Sequence, residues 1–173
     1  MVDLVLSDEV LSAALAIRDR EARWLHDRCP DIELLLVGGS SVPGALTVGD
    51  IDLHCRVRGD FGQALAVLCG RYTVRRPEIW QPTLATFVVP DDRRIELAAT
   101  PSGSEHDHRF TRAWELLRES SSLLEEYNEL KRDFYGTDEY DARKAAFFTR
   151  LAAEQDASRD RGSGRAARGR RTS

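Results

Sequence analysis

The spacing of apolar residues changes along the chain, and each change marks an element. Val10, Ala14, Ile17, Trp24 and Leu25 recur at helical spacing, with Glu21 as one polar interruption. Apolar residues three or four apart share a helix face, so this stretch reads as a long amphipathic helix. Ser7 stands as its N-cap with Asp8 and Glu9 in the first turn, and Pro30 stops it near Arg28. Glu33 to Val37 is a short apolar run, the signature of a buried strand. From Ile51 the period becomes two: Ile51, Leu53, Cys55 and Val57 alternate with Asp50, Asp52, His54 and Arg56. That alternation predicts a half-buried strand.

Asp60 caps a second helix through Ala64, Leu65, Val67 and Leu68, closed by Gly70. Tyr72 to Arg75 is a further strand. Leu84 to Val89 and Arg94 to Ala99 flank Pro90-Asp91-Asp92 as a β-hairpin. After Pro101-Ser102-Gly103 the pattern is helical to the end of the apolar sequence, with helices expected over Ser104 to Glu119, Ser121 to Phe134 and Asp138 to Ala153. The order of elements gives an α/β (α+β) fold, a mixed β-sheet flanked by helices, with C-terminal helices. The expected division is a core over 1–100, a helical region over 101–155 and a tail over 156–173.

Composition sharpens this picture in three places. Charged residues are 31% and hydrophobic residues 42% of 173 residues, the balance of one globular domain. No apolar run is long enough to span a bilayer, and Met1 to Leu6 has neither the basic nor the long apolar region of a signal peptide. The net charge of −4 is unevenly placed. Asp156 to Ser173 holds six arginines against two aspartates, which leaves the body strongly acidic. The tail is expected to be disordered and basic, and nonspecific contact with nucleic acid is the most it offers; an acidic body is a poor nucleic-acid surface. Cys29, Cys55 and Cys69 are odd in number and lack CxxC spacing, so a reducing cytoplasm is the expected setting.

The chemistry concentrates between Val37 and Leu53. Gly38-Gly39-Ser40 follows a strand, where glycine lets the backbone approach a phosphate and take an unusual φ, and Ser40 adds a hydroxyl. Ten residues separate Gly39 from Asp50-Ile51-Asp52. On a strand, residues two apart share a face, so both carboxylates point one way and repel unless a cation sits between them. Oxygen ligands of this kind suit Mg²⁺, which binds one or two carboxylates together with substrate phosphates. Glu96, on the second hairpin strand, would complete a site for two Mg²⁺ ions if that strand lies beside the aspartates.

This arrangement resembles the DNA polymerase beta-like nucleotidyltransferase superfamily, and within it the GrpB family. The resemblance rests on Gly38-Gly39-Ser40-Ser41-Val42-Pro43-Gly44, on Asp50-Ile51-Asp52-Leu53 and Glu96, and on the helical stretches Tyr127-Asn128-Glu129-Leu130-Lys131 and Tyr140-Asp141-Ala142-Arg143-Lys144-Ala145-Ala146-Phe147. It covers roughly residues 5 to 152. It departs where GrpB proteins carry Lys-Pro, here Val48-Gly49, and where they carry a His-x-His strand, here Glu96 and Ala98. Carboxylates thus stand at two positions the family fills differently. The resemblance implies a nucleotidyltransferase fold that binds an NTP and transfers its nucleoside monophosphate to a small-molecule or protein hydroxyl. It also implies that Lys131 or Lys144, the only lysines of the chain, faces the triphosphate. A noncatalytic nucleotide-binding module of the same fold is the alternative. His106 and His108 read as capping or solvent-facing residues, and His54 as a satisfied polar residue.

Overall fold

A computed structural model describes residues 3–153; the basic tail expected from Asp156 lies outside the described residues. These residues fall into two compact units divided between Asn128 and Glu129. In the first unit the elements run β1 (Val5–Leu6), α1 (Leu11–His26), β2 (Ile32–Val37), β3 (Leu46–Thr47), β4 (Ile51–Val57), α2 (Phe61–Cys69), β5 (Thr73–Val74), β6 (Ala85–Val88), β7 (Ile95–Pro101) and α3 (Glu105–Glu119). The next helix, α4 (Ser121–Phe134), begins in the first unit and ends in the second. The second unit continues with α5, residues 140–153. Within it, the Tyr135 and Tyr140 rings meet edge to face, and Arg143 lies over the Phe134 ring. No helix of the described residues is long and apolar enough to cross a membrane.

Five strands form one mixed sheet in the order β2-β4-β7-β6-β5. The predicted hairpin is β6 and β7, paired antiparallel with Val88 opposite Glu96. β4 runs parallel to β7 and antiparallel to β2, so it is flanked on both sides. A parallel neighbour requires a crossover rather than a hairpin, and α2, β5 and β6 supply it. β1 and β3 make a separate two-stranded ladder that hydrophobic patterning on two residues each could not announce.

Period two in β4 sorts its side chains onto the two faces of the sheet. Ile51, Leu53, Cys55 and Val57 are all buried in a core with Ile95, Leu97 and Ala99 of β7, Ala14 and Ile17 of α1, and Ala64 and Leu68 of α2. The opposite face carries Asp52, His54 and Arg56 beside Glu96, Ala98 and Thr100. α3 covers the half of this face beyond His54. His54 is fully buried, stacked 5.3 Å from the Phe110 ring. Asp52 and Glu96, at the other end of the row, remain partly exposed.

Two local expectations change. Ser7 is not the cap of α1. It is buried and its hydroxyl donates to the Val42 carbonyl at 2.6 Å, while Ser7–Glu9 form a short 3-10 turn and α1 begins only at Leu11. Glu21, the polar interruption, is buried on the core side of α1, where Arg20, Arg71 and the Tyr72 hydroxyl all donate to it. Burial works to raise its pKa, but those three donors outweigh it and hold the carboxyl below the usual range. The Asp60 cap is as expected, accepting from the Gln63 N–H at 2.8 Å.

Candidate functional site

The site is built at the turn between β2 and the short helical turn Gly39–Ser41. β2 ends opposite the acid strand, with Val37 directly across from Asp52. The chain must then bend sharply, and Gly38 does so at φ +76, a region that side chains strongly disfavour. The bend leaves no room for one in any case. A Cβ on Gly38 would lie 2.1 Å from Asp52 Oδ2. The Asp52 carboxylate therefore rests directly over the Gly38 backbone, and the glycine is the condition for that placement.

The turn that follows is fixed by its own hydroxyls. Ser40 is buried; its Oγ donates to the Asp50 carbonyl and lies 2.8 Å from the Thr47 hydroxyl. Thr47 in turn donates to Asp50 Oδ1 at 3.2 Å and accepts from the Gly49 N–H. The Ser40 hydroxyl expected at a phosphate is thus turned inward, where it ties the Gly38–Ser41 turn to the residue that opens the acid strand. Ser41 Oγ donates to the Gly38 carbonyl at 2.7 Å and accepts from Arg118 of α3. Gly39 and Ser40 still present backbone N–H groups at the start of a helical turn, where no intrahelical acceptor exists.

The parallel register answers where Glu96 stands: it is the direct partner of Asp52 across β4 and β7, on the same face of the sheet. Asp50 lies two residues before Asp52 at the mouth of β4. Two cations already attend this corner. Arg94 donates through Nε and Nη2 to Glu96 Oε1, and Arg75 forms an ion pair with the same oxygen. The Arg94 pKa is raised, first by its bond to Glu96 and further by the charges of Glu96, Asp50 and Asp52. One guanidinium therefore sits in the field of all three carboxylates. With Glu96 drawn to Arg75 and Arg94, no three His, Cys, Asp or Glu side chains among the described residues converge closely enough to hold a metal ion.

Farther along the same face, a network that sequence alone did not suggest supports the strand. Arg56 forms two parallel bonds to the buried Asp107 of α3, at 2.6 and 2.8 Å, and also reaches Glu33. Burial acts to raise Asp107, but Arg56 and the Gly103 N–H prevail and its pKa is lowered. His54 Nε2 bonds Thr100 Oγ1 at 2.9 Å, so one nitrogen is satisfied; its buried Nδ1 has no partner among the described residues. Burial depresses the His54 pKa to about 4, with Asp107 opposing and Arg56 reinforcing the shift. His106 Nδ1 lies 2.8 Å from the Thr83 hydroxyl, so it is neither a cap nor merely solvated. The two lysines belong to the second unit: Lys131 is buried on α4 and Lys144 sits 5.8 Å over the Tyr140 ring on α5.

Compared with solved structures, the chain matches the crystal structure of the conserved protein GrpB from Enterococcus faecalis. The TM-score is 0.66 with 18% identity, over 82% of this chain and 92% of that one. The chain has the GrpB fold. A sequence relative agrees: a UPF0157 protein of Vibrio cholerae serotype O1 is 27% identical over 129 residues, 72% of this chain and 68% of the relative. No family model matches. A looser likeness is to the Cid1 poly(U) polymerase with magnesium and 3'-dATP bound, at TM-score 0.48 over 70% of this chain and 40% of that one, too loose to carry chemistry across. The likeness carries over the fold alone; in this chain that fold sets the acid strand β4 between β2, which leads into the glycine turn, and the parallel strand β7.

Sequence reasoning overlooked Thr47, Arg75, Arg94 and Arg118 in this corner. Arg94 could have been found, because Arg94 and Glu96 are two apart on a strand and share a face. Thr47 has a weaker signal, a hydroxyl three residues before an acid. Arg75, just after β5, and Arg118 of α3 arrive through tertiary packing, and nothing local marks them.

Proposed function

We propose that the protein is a Mg²⁺-dependent nucleotidyltransferase whose carboxylates are Asp50, Asp52 and Glu96. The observation that carries this reading is the register pair Asp52–Glu96, with the Asp52 carboxylate held over Gly38. The donor set fits the ion: all three are carboxylates at an open end of the sheet, and a hard cation takes oxygen ligands. Asp50 and Asp52 would hold one ion and Glu96 would contribute to a second. The two ions would neutralise charge on the triphosphate and on the attacking and leaving oxygens. Binding there requires Arg75 and Arg94 to release Glu96, and the incoming phosphates offer both guanidiniums a replacement anion. The backbone N–H groups of Gly39 and Ser40 would receive the phosphates. The acceptor would be a hydroxyl of a small molecule or a protein side chain, with the cytoplasm as the setting.

A second reading is a nucleotide-binding module without turnover. The double pairing of Glu96 with Arg75 and Arg94 favours it, since a carboxylate so neutralised is a weak metal ligand. The two readings separate on labelled transfer from each of the four NTPs with Mg²⁺ into a cell extract, run alongside equilibrium nucleotide binding. Transfer that is lost in Asp50→Asn and in Asp52→Asn supports the first. Bound nucleotide with no labelled product supports the second. Turnover at the wild-type rate in both variants eliminates the carboxylate site.

A further inference from the structure

On the opposite side of β2 from the acids lies an open cavity of about 270 Å³ between α1 and α3. β2 is an edge strand, so half of its backbone groups have no strand to bond. The register says which half. Arg58 N–H donates to the Asp31 carbonyl, so Asp31 belongs to the hydrogen-bonded set facing β4. In an antiparallel ladder that set alternates, so Glu33, Leu35 and Val37 also face β4, while Ile32, Leu34 and Leu36 face outward. Two bonds agree with this. Ile32 N–H donates to Cys29, and the Leu36 carbonyl accepts from Arg118. The Leu36 N–H points to the same open edge and has no partner among the described residues.

Around this N–H the cavity gathers donors. Arg118 spends Nε and Nη2 on Ser41 and the Leu36 carbonyl, leaving Nη1 unspent. No carboxylate forms an ion pair with it among the described residues; burial lowers its pKa, and the charge of Glu115 only partly opposes that shift. Arg18 contributes a second guanidinium from α1; its buried Nε lies 2.6 Å from the Asp19 carboxylate but makes no hydrogen bond among the described residues. The one acid at the rim, Glu115, is paired with Arg112. The walls between these groups are aliphatic: Leu11, Leu15, Leu35 and Val37. We infer that this cavity binds a small monocarboxylate with an apolar body, its oxygens on Arg118, Arg18 and the Leu36 N–H and its chain along the leucines. The cavity falls just below the roughly 300 Å³ at which pockets for drug-sized ligands start, which suits a smaller ligand. The inference is independent of the nucleotide reading and uses none of the acid-strand residues.

The test uses the full chain with hexanoate as the probe and hexanol and hexylamine as matched controls, followed by amide NMR. Saturable binding of hexanoate with a downfield shift of the Leu36 amide proton is expected, with neither control reproducing that shift. Arg18→Gln should weaken hexanoate about tenfold, as loss of a charge-assisted pair does. Arg118→Gln should do the same, with its melting curve recorded to show that the fold survives loss of the Ser41 contact. Absence of saturable binding overturns the proposal. So does equal affinity for hexanol, which would make the cavity merely apolar, or unchanged affinity in Arg18→Gln.

Discussion

Acidification should destabilise this protein through one residue well before its carboxylates begin to titrate. His54 is fully buried between β7 and α3, with a pKa depressed from 6.5 to about 4. Desolvation is the main cause; the Asp107 carboxylate, 3.7 Å from Nε2, opposes it more strongly than the Arg56 guanidinium reinforces it, but burial prevails. The unfolded chain binds a proton at this position near pH 6.5, whereas the folded chain resists it until about pH 4. Between those values the unfolded state holds more protons, so stability falls as pH falls. The contribution is fully present above pH 6.5. By linkage the loss is about 2 kcal/mol at pH 5 and about 3 kcal/mol once pH is below the folded value. At pH 5 most carboxylates remain ionised in both states, so the first of those losses belongs to His54. The assay is urea unfolding at pH 7.5, 6 and 5 for the wild type and for His54→Gln, which keeps a polar partner for Thr100 but cannot titrate. The wild type should lose about 2 kcal/mol more than the variant across that range. Parallel losses in the two proteins would refute the argument, since the burial of a neutral imidazole would then carry no penalty on protonation.

Other outcomes follow from the same geometry. Gly38→Ala and Gly49→Ala both place a side chain at positive φ, which costs roughly 1–2 kcal/mol each, but only the Gly38 Cβ meets Asp52; the nearest atom to the Gly49 Cβ is 3.8 Å away. Chemical unfolding should therefore show Gly38→Ala as the more destabilised of the two, and equal losses would mean that Asp52 is free to move. Glu21→Gln should cost about 1.5–3 kcal/mol, nearer the lower end because Arg20 and Arg71 can return to solvent; a thermal melt unchanged from wild type would count against the buried carboxylate as a structural hub. Arg94→Gln should tighten Mg²⁺ binding at the acids, measured by calorimetry, since it removes a guanidinium that competes with the ion; weaker binding would show that Arg94 aligns Glu96 instead.

The elements of this fold were legible wherever one face of a segment meets the core and the other meets solvent. α1, β4, α2 and the β6–β7 hairpin follow from period alone because burial imposes 3.6 or 2 on the sequence. β1 and β3 were not legible, since two residues are too short to show a period. Ser7 misled because a serine before two acids looks the same whether it caps a helix or is buried against Val42. Within the candidate site, Gly38, Asp50 and Asp52 announce themselves by chemistry and spacing over a few residues, and so does the alternation that puts Glu96 on a strand. That Glu96 stands opposite Asp52 is a matter of register between strands about forty residues apart, and no local pattern encodes it. Arg75, Arg118 and Asp107 reach their partners only once the sheet is ordered and α3 is laid across it. The sequence by itself determined which groups carry the chemistry and which face of β4 they share. The tertiary structure decided what else shares that face: a guanidinium pair on Glu96, a helix over His54, and a tether from Arg118 to the turn beneath Asp52. The physical reason is range. Periodicity and glycine chemistry act between neighbours along the chain, whereas burial and charge pairing act between neighbours in space.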